Sequence, residues 1–351
     1  MSDSVSNTGP VAVIGAGAWG TTISIMLGEN DHRVRLWARR PEFAQKVQKT
    51  RENHTYLPGF PLPDIVEVTS DLAQAVDGTR AVIMAVPSVG LRDVARKLSE
   101  VFPPRAMLIF ATKGIERNSG RRMGQVLQEE IEEADEDHVV ALSGPNLSRE
   151  IAQKMPAVSV AASADRANAE AAQALLTRPY FRIYTNCDII GVQLAGALKN
   201  VIAVGAGISD GLGFGDNAKA SLITRGLAEI RRIGHVFGAM PDTFSGIAGV
   251  GDLIATCSSR LSRNWNLGNR VGRGEKARDV IQSMQDVAEG YYTTHAAQQL
   301  AHENGVEAPI TDAVYDILYE GHDPGEVCRR LMSRRERAEH ENWQKKPTDR
   351  W

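Results

Sequence analysis

The amino-acid sequence predicts an α/β protein in which a doubly wound sheet domain precedes an all-α domain. In the first half of the chain, short β-rich runs alternate with amphipathic helical stretches, a pattern typical of a parallel sheet covered on both faces. The first run leads through a glycine-rich turn into a helix, as in Rossmann-like domains. From Asp188 onward the β-branched runs disappear, and helical segments separated by glycine-rich turns follow.

The individual elements follow from these patterns. The predicted strands are aliphatic or β-branched runs at Val11–Gly15, Arg33–Ala38, Val66–Thr69, Ala81–Val86, Met107–Thr112, Val139–Ser143, Val158–Ala162 and Phe181–Thr185. The predicted helices lie at Thr21–Leu27, Leu147–Lys154, Ala167–Leu176, Ile189–Ile208, Asn217–Phe237, after Gly251, and at Ala277–Met284, Thr293–Glu303, Asp312–Tyr319 and Pro324–Met332. The expected domains are a flexible N-terminus at 1–10, the sheet domain at 11–187, the helical domain at 188–332 and a charged tail at 333–351.

Composition and charge exclude several classes of protein. The 351 residues suffice for two domains with a sizeable core, and 42% hydrophobic with 24% charged residues is typical of a soluble globular protein. A net charge of −3 gives no global reason to bind nucleic acid or an anionic membrane. The three cysteines match no zinc or redox spacing and no signal peptide is apparent, so a cytoplasmic protein without a metal site is expected.

The glycine-rich turn predicts a dinucleotide site. Gly15 permits a tight turn, Gly17 lets the backbone approach a pyrophosphate, and Gly20 allows close packing of helix on sheet. Ala18 and Trp19 lie between them, and Trp19 either packs against the sheet or contacts the cofactor. Residues 11–187 are therefore the predicted dinucleotide-binding domain.

Arg39 and Arg40 bear on the choice of dinucleotide. They follow the second predicted strand, where a strict NAD enzyme has an acidic residue that binds the ribose. Two arginines suit a 2′-phosphate, although they are also compatible with a solvated strand end. NADP(H) is therefore the favoured cofactor, with NAD(H) possible.

Further polar residues follow the carboxyl ends of predicted strands, where ligands gather in an open parallel sheet. Lys113 either faces solvent in a turn or meets substrate and nicotinamide together. Gly144 and Asn146 precede a helix that contains Ser148. Either Asn146 or Ser148 only caps that helix, or the free backbone amides of this turn and helix start face an anion or a cofactor.

Lys199 interrupts the most apolar helical stretch of the chain, together with Asn200. A buried ammonium is costly, so this lysine must pair, extend towards solvent or act in chemistry. Ala195, Gly196 and Ala203 share its helical face, and their small size leaves room for a small molecule beside the amine. The stretch approaches the length of a membrane span, but its polar residues indicate a buried helix.

Three later motifs are weaker when each is taken alone. Asp252 follows a glycine-rich segment and either caps a helix or serves a ligand. Arg263 and Asn264 lie either on an exposed turn or against an anion, for which the guanidinium is well suited. Val287 and Glu289 belong to the last motif, V-x-E-G.

Taken together, the motifs resemble a known family. The order G-x-G-x-x-G, T-K-G, S-G-P, L-A-G-A-L-K-N, G-x-G-D-L, S-R-N and V-x-E-G is similar to that of the bacterial NAD(P)-dependent glycerol-3-phosphate dehydrogenases. The resemblance extends from about Val11 to about Leu331. It implies reduction of dihydroxyacetone phosphate to sn-glycerol 3-phosphate for phospholipid synthesis, with hydride transfer to C2 and a homodimer packed through the helical domain.

The resemblance also implies the roles of single residues. Lys199 would be the catalytic proton donor in a substrate domain that spans 188–332. The residues implied to contact glycerol phosphate are Lys113, Gly144, Asn146, Lys199, Asp252, Ser262, Arg263 and Asn264. Those implied to surround the dinucleotide are Ala18, Trp19, Arg39, Lys113, Ser148, Arg263, Val287 and Glu289. Two alternatives remain open: a Rossmann-type dehydrogenase of another hydroxy acid, and an NADP(H)-sensing protein without turnover.

Overall fold

Eight strands form one sheet at the centre of the N-terminal domain, in the order β3-β2-β1-β4-β5-β6-β7-β8. Their bounds are β1 Val11–Ile14, β2 Val34–Trp37, β3 Val66–Thr69, β4 Ala81–Met84, β5 Met107–Phe110, β6 Val139–Ser143, β7 Ala157–Ala162 and β8 Phe181–Asn186. All eight predicted strands are confirmed, with ends that differ by at most two residues. The computed structural model describes residues 9–117, 119–134, 138–284, 287–336 and 339.

The middle of the sheet is buried on both faces. All residues of β1 and β4 are buried, as expected of central parallel strands covered by helices, whereas the edge strands β3 and β8 alternate between buried and exposed positions. The first six strands in the order of the sheet, β1 to β6, all pair in parallel. The strand β7 pairs antiparallel to β6 and parallel to β8. The predicted parallel sheet is therefore confirmed for β1 to β6, and β7 and β8 extend the same sheet in the opposite direction.

The short connection between β6 and β7 explains this reversal. Its one helix, Ser148–Ala152, has five residues and is too short to carry the chain back along the face of the sheet. The chain therefore re-enters the sheet at the edge where β6 ended. The same connection consequently stays at the carboxyl edge, which also contains the glycine-rich turn.

Sixteen α-helices complete the described part of the chain. In the N-terminal domain these are α1 Ala18–Gly28, α2 Pro41–Thr50, α3 Leu72–Val76, α4 Leu91–Ser99, α5 Met123–Glu130, α6 Ser148–Ala152 and α7 Arg166–Leu176. In the C-terminal domain they are α8 Ile189–Gly211, α9 Asp216–Val236, α10 Pro241–Ser245, α11 Asp252–Ser258, α12 Arg263–Gly272, α13 Ala277–Ser283, α14 Glu289–Glu303, α15 Pro309–Tyr315 and α16 Pro324–Met332. The N-terminal α/β domain and the C-terminal helical domain are therefore confirmed.

Some predicted segments differ from the structure or fall outside its description. No bounds were predicted for the helices α2, α3, α4, α5, α10 and α12, and α14 begins four residues before its predicted start at Thr293. Most of the predicted flexible N-terminus at 1–10 lies outside the described residues, which begin at Gly9. The predicted charged tail at 333–351 likewise lies outside them, except for 333–336 and 339.

The helix α8 forms the core of the C-terminal domain. Asp188 caps its first turn by accepting a hydrogen bond from Gly191 N at 2.8 Å. By length and composition α8 could cross a membrane, but 94% of its most apolar window is buried inside the protein. It packs against α9, α11, α12 and α14, so Lys199 lies among core helices.

Glycines bring α8 and α12 into backbone contact. A Cβ on Gly207 would lie 2.1 Å from Trp265 O, and one on Gly268 would lie 2.0 Å from Val204 O. A side chain at either position would therefore push the helices apart. Because the two backbones touch, the residues at the start of α12 are held firmly beside the middle of α8.

Candidate active site

The glycine-rich turn after β1 fits a pyrophosphate group. Gly15 has a φ of +116°, and a Cβ on Gly20 would lie 1.9 Å from Gly15 O, so both positions require glycine. By contrast, a Cβ on Gly17 would have nothing within 4 Å. The helix α1 begins at Ala18 and has no side-chain cap, so the amides of its first turn are available to an anion.

The residues beside this turn divide into packed and exposed ones. The Trp19 ring packs edge-on against Phe181 with 6.1 Å between ring centroids, which supports the packing interpretation. Arg39 and Arg40 are both exposed at the end of β2, and the Arg40 guanidinium lies 5.2 Å from the centroid of the Phe43 ring. The two arginines are thus within the same carboxyl edge as the turn.

Lys199 lies in a buried ion-pair cluster to which both domains contribute. Its Nζ pairs with Asp252 Oδ1 on α11, and Asp252 Oδ2 accepts from Lys113 Nζ at 2.7 Å. Lys113 follows β5, and its Nζ also donates to Gly144 O at 2.8 Å. Asp252 is 1% exposed, so one fully buried carboxylate is shared by two lysines. The alternative in which Asp252 only caps α11 is wrong, since no side chain caps that helix.

The protonation of Lys199 is set by opposing influences. Burial lowers the pKa of Lys199 to about 8; the Asp252 carboxylate raises this pKa, and the Lys113 ammonium lowers it. Lys199 Nζ also donates to Thr256 Oγ1 at 2.6 Å, while that hydroxyl donates to Asp252 O at 2.7 Å. Two of the three N–H groups of Lys199 are therefore held by α11. A pKa near 8 suits proton transfer close to neutral pH.

The space beside Gly196, one turn before Lys199, is smaller than the sequence indicated. A Cβ on Gly196 would lie 2.7 Å from Ser143 Oγ and 3.6 Å from Lys113 Cδ. The absent side chain thus makes room for the Ser143 hydroxyl, with the Lys113 stem in contact beside it, and not for an open cavity. Ser143 Oγ and Asn146 Oδ1 are buried without a hydrogen-bond partner among the described residues, so two polar atoms at this edge are left for a ligand or water.

The S-R-N motif forms the start of α12. Ser262 is the N-cap and accepts a hydrogen bond from Trp265 N at 3.2 Å, which places Arg263 and Asn264 in the first helical turn and not on an exposed turn. Asn264 Nδ2 donates to Asn200 Oδ1 at 2.8 Å. Its Oδ1 accepts from Gly290 N at 2.8 Å. Asn264 thereby connects α8, α12 and α14.

Glu289 joins the two domains at the start of α14. Its carboxylate accepts hydrogen bonds from Ser88 N, at 2.9 Å, and from Ser88 Oγ. Burial raises the pKa of Glu289, and the hydrogen bonds from Ser88 and the nearby Arg263 oppose this. Val287 is half-buried just before Glu289. The V-x-E-G motif thus lies beside the loop that follows β4.

Sequence reasoning assigned no role to three residues that contact this site. Thr256 contacts Lys199, Ser88 contacts Glu289, and Asn53 contacts the glycine-rich turn. Thr256 follows Asp252 by four residues, a spacing that places both on one face of a helix and was open to recognition. Asn53 belongs to an irregular connection and gives no such signal. The predicted residues Lys113, Gly144, Lys199 and Asp252 are brought into one cluster.

A dinucleotide turn and a buried lysine cluster at one sheet edge define the class as NAD(P)-dependent oxidoreductases. Residues 10–169 and 188–329 match the models of the NAD-dependent glycerol-3-phosphate dehydrogenase N-terminus and C-terminus. The chain belongs to this family, the NAD(P)-dependent glycerol-3-phosphate dehydrogenases.

Individual relatives agree with this assignment over nearly the full chain. The glycerol-3-phosphate dehydrogenase [NAD(P)+] of Geobacillus thermodenitrificans is 47% identical over 333 residues, covering 94% of this chain and 96% of the relative. That of Oceanobacillus iheyensis is 46% identical over 329 residues, with 94% and 95% covered. The crystal structure of the Coxiella burnetii glycerol-3-phosphate dehydrogenase superposes with a TM-score of 0.88 at 34% identity, covering 93% of this chain and 99% of that chain.

Proposed function

We propose that this protein reduces dihydroxyacetone phosphate to sn-glycerol 3-phosphate with NAD(P)H. The observation that carries the proposal is the cluster of Lys199, Asp252 and Lys113 at the edge of the sheet where the glycine-rich turn lies. A ketone bound between the lysine cluster and the glycine-rich turn would have a proton donor on one side and the dinucleotide on the other. The full-length similarity to glycerol-3-phosphate dehydrogenases supports the substrate class.

Lys199 and Lys113 have different proposed roles in proton transfer and charge stabilisation. When bound, NAD(P)H supplies the hydride that attacks C2 of the ketone. Lys199 uses two N–H groups on Asp252 and Thr256, which leaves its third N–H for the substrate oxygen. Lys113 holds Asp252 and Gly144 O and lends a second positive charge near the developing alkoxide.

Phosphate binding is assigned to the start of α12. The Arg263 guanidinium offers several donors to a phosphate, and the first-turn amides of α12 add to them. Binding this non-reacting group fixes the carbonyl with respect to Lys199. Asn264 would act mainly by holding α12 against α8, since its Nδ2 and Oδ1 already bond to Asn200 and Gly290.

Replacing Gly17 tests the dinucleotide turn. Gly17→Val is expected to leave the unfolding temperature almost unchanged, because its Cβ meets no protein atom within 4 Å, and to weaken NADPH binding by about tenfold or more, because the side chain occupies the pyrophosphate position. Thermal unfolding and NADPH fluorescence titration measure both effects. Gly90→Ala, also a glycine with open space around its Cβ, is the matched control. Wild-type affinity in Gly17→Val would refute this placement.

The proposed preference for NADPH depends on the exposed arginines after β2. Arg39→Ala is expected to raise the KM for NADPH about tenfold, through loss of a charge-assisted contact to the 2′-phosphate, and to leave the KM for NADH unchanged. Steady-state kinetics with both cofactors measure this difference. Arg33→Ala, which removes another exposed arginine at the opposite end of β2, should change neither constant. An equal effect on both cofactors would count against recognition of the 2′-phosphate.

The proposed activity is tested by following NAD(P)H oxidation with dihydroxyacetone phosphate. Steady oxidation of NAD(P)H with this ketone would support the proposal. The reverse reaction, with glycerol 3-phosphate and NAD(P)+, should then raise the NAD(P)H absorbance. Turnover only with unphosphorylated 2-keto acids would instead indicate a dehydrogenase of another hydroxy acid. Cofactor binding without turnover on any ketose or keto acid would indicate a dinucleotide sensor.

The remaining assignments complete the proposed function. We place the enzyme in the cytoplasm, in phospholipid synthesis, and divide it into a dinucleotide domain at 11–187 and a substrate domain at 188–332. A homodimer packed through the helical domain is proposed from the resemblance to the family. Light scattering that gives the mass of one chain would contradict the dimer.

A further inference from the structure

Asn53 is a fully buried polar residue in the irregular connection between α2 and β3. Its Nδ2 donates to Ala16 O at 3.0 Å and to Thr21 Oγ1 at 2.8 Å. Its Oδ1 accepts from Tyr56 N at 3.1 Å. Asn53 is 0% exposed, so these bonds form without competition from water. One side chain therefore connects the glycine-rich turn, the first turn of α1 and its own loop.

The bond to Ala16 O determines the direction of the next amide. In a trans peptide unit the C=O and the following N–H point in opposite directions. Asn53 holds the carbonyl of Ala16 on its own side, so the N–H of Gly17 points to the other side. A Cβ on Gly17 would have nothing within 4 Å, so the turn has room at this residue for the pyrophosphate that we propose to bind there. Asn53 thus sets the orientation of an amide that it does not touch.

Backbone hydrogen bonds hold both ends of the turn, from Gly15 N to Trp37 O and from Thr21 N to Gly17 O, each at 3.0 Å. Between them the Ala16 carbonyl accepts from Asn53 Nδ2, and no side chain caps α1. Without Asn53 the buried Ala16 carbonyl would lack its side-chain partner, and rotation of the peptide unit would relieve this. A preorganised amide binds an anion more tightly because less ordering is needed on binding.

The same connection reaches the exposed arginines. Tyr56, whose N–H is held by Asn53, packs edge-on against Phe43 with 5.6 Å between centroids. The Arg40 guanidinium lies over the Phe43 ring of that aromatic pair, 5.2 Å from the Phe43 centroid. The loop anchored by Asn53 thus contacts both the glycine-rich turn and the aromatic pair beneath Arg40.

We propose that Asn53 is a positioning residue for the dinucleotide, which aims the Gly17 amide at the pyrophosphate and thereby sets cofactor affinity. It acts through the turn and not on the ketone. The inference rests on the proposed use of NAD(P)H. Because the pyrophosphate is common to both cofactors, Asn53 affects NADPH and NADH alike, in contrast to Arg39.

Two variants test this inference. Asn53→Asp keeps the volume and the acceptor for Tyr56 N but places a carboxylate oxygen against Ala16 O, and Asn53→Ala removes all the bonds. Both are expected to raise the Kd for NADPH and for NADH about ten- to a hundredfold. The KM for dihydroxyacetone phosphate and kcat at saturating NADPH should stay within about threefold of wild type, because the lysine cluster is untouched.

Controls separate positioning from a general loss of stability. Asn304→Ala removes another bond from an asparagine to a carbonyl, Nδ2 to Leu300 O at 2.8 Å, far from the turn, and should leave the Kd unchanged. Thermal unfolding without cofactor reports stability separately. Lower stability with wild-type cofactor affinity in Asn53→Asp would overturn the inference, as would equal losses for cofactor and ketone. A wild type that binds NADPH but reduces no ketose phosphate would refute the proposed function alone.

Discussion

Lys199→Met is expected to lower kcat for ketone reduction by about 10²- to 10⁴-fold, the usual contribution of a general acid. Methionine fills much of the volume of the lysine stem but donates no proton. The Kd for NADPH should remain near that of wild type, because the glycine-rich turn belongs to the other domain. Stopped-flow measurement of NADPH oxidation gives the rate of the chemical step directly.

The pH dependence of the same reaction supplies an independent check. Lys199 donates a proton only when it is charged, and burial lowers its pKa to about 8. Reduction should therefore be fastest below about pH 8 and slow as the pH rises through this value, whereas oxidation of glycerol 3-phosphate should accelerate. Lys219 lies on α9, and its Nζ pairs with Asp210 on α8 at 2.7 Å. Lys219→Met should preserve both the rate of reduction and its pH profile. A wild-type profile in Lys199→Met would exclude Lys199 as the acid.

Asp252→Asn is expected to have the second largest effect. The Asp252 carboxylate raises the pKa of Lys199, so its loss lowers that pKa further below its value near 8. The alkaline limb of the reductive profile should move down by about 1–3 pH units, which is the usual influence of one close opposite charge. At pH 7 the reductive rate should fall by about two- to a hundredfold, because lowering the pKa of Lys199 from about 8 by 1–3 units leaves about half to one hundredth of it charged. A pH–rate series measures the shift.

Loss of the shared carboxylate should also destabilise the fold. Two lysines would face each other in a buried site without a counter-charge. Removing one partner of a buried ion pair lowers the free energy of unfolding by about 3–5 kcal/mol. Urea unfolding measures this cost. Asp316→Asn removes a carboxylate paired with Arg330 near the surface and should cost at most about 1 kcal/mol. An unshifted profile in Asp252→Asn would show that Asp252 does not tune Lys199.

The fold was largely predictable because its strands are short, apolar and bounded by turns. The direction of β7 was not, since alternation of side chains is the same in parallel and antiparallel strands. The helix α12 was missed because Gly268, Gly272 and several asparagines have low helix propensity. Those glycines are present for contact with α8, a tertiary reason that no local pattern reveals.

The site was predictable where chemistry made a residue conspicuous. Lys199 stood out because a charge in an apolar helix requires a partner, but the partner itself, Asp252, lies 53 positions further on. Its sharing between two lysines therefore could not be derived from spacing. Asn53 stood out in no way, because asparagine is common in loops and only its burial and its bond to Ala16 O distinguish it.

The backbone contact between α8 and α12 bears on the length of substrate that the proposed site would accept. Lys199 is on one of these helices and Arg263 on the other, and the touching glycines prevent either helix from sliding. The contact therefore fixes the separation between the backbone positions of these two residues. If Lys199 is the acid and Arg263 binds the phosphate, as proposed, a phosphorylated ketone with one more or one fewer carbon between carbonyl and phosphate should contact only one of them.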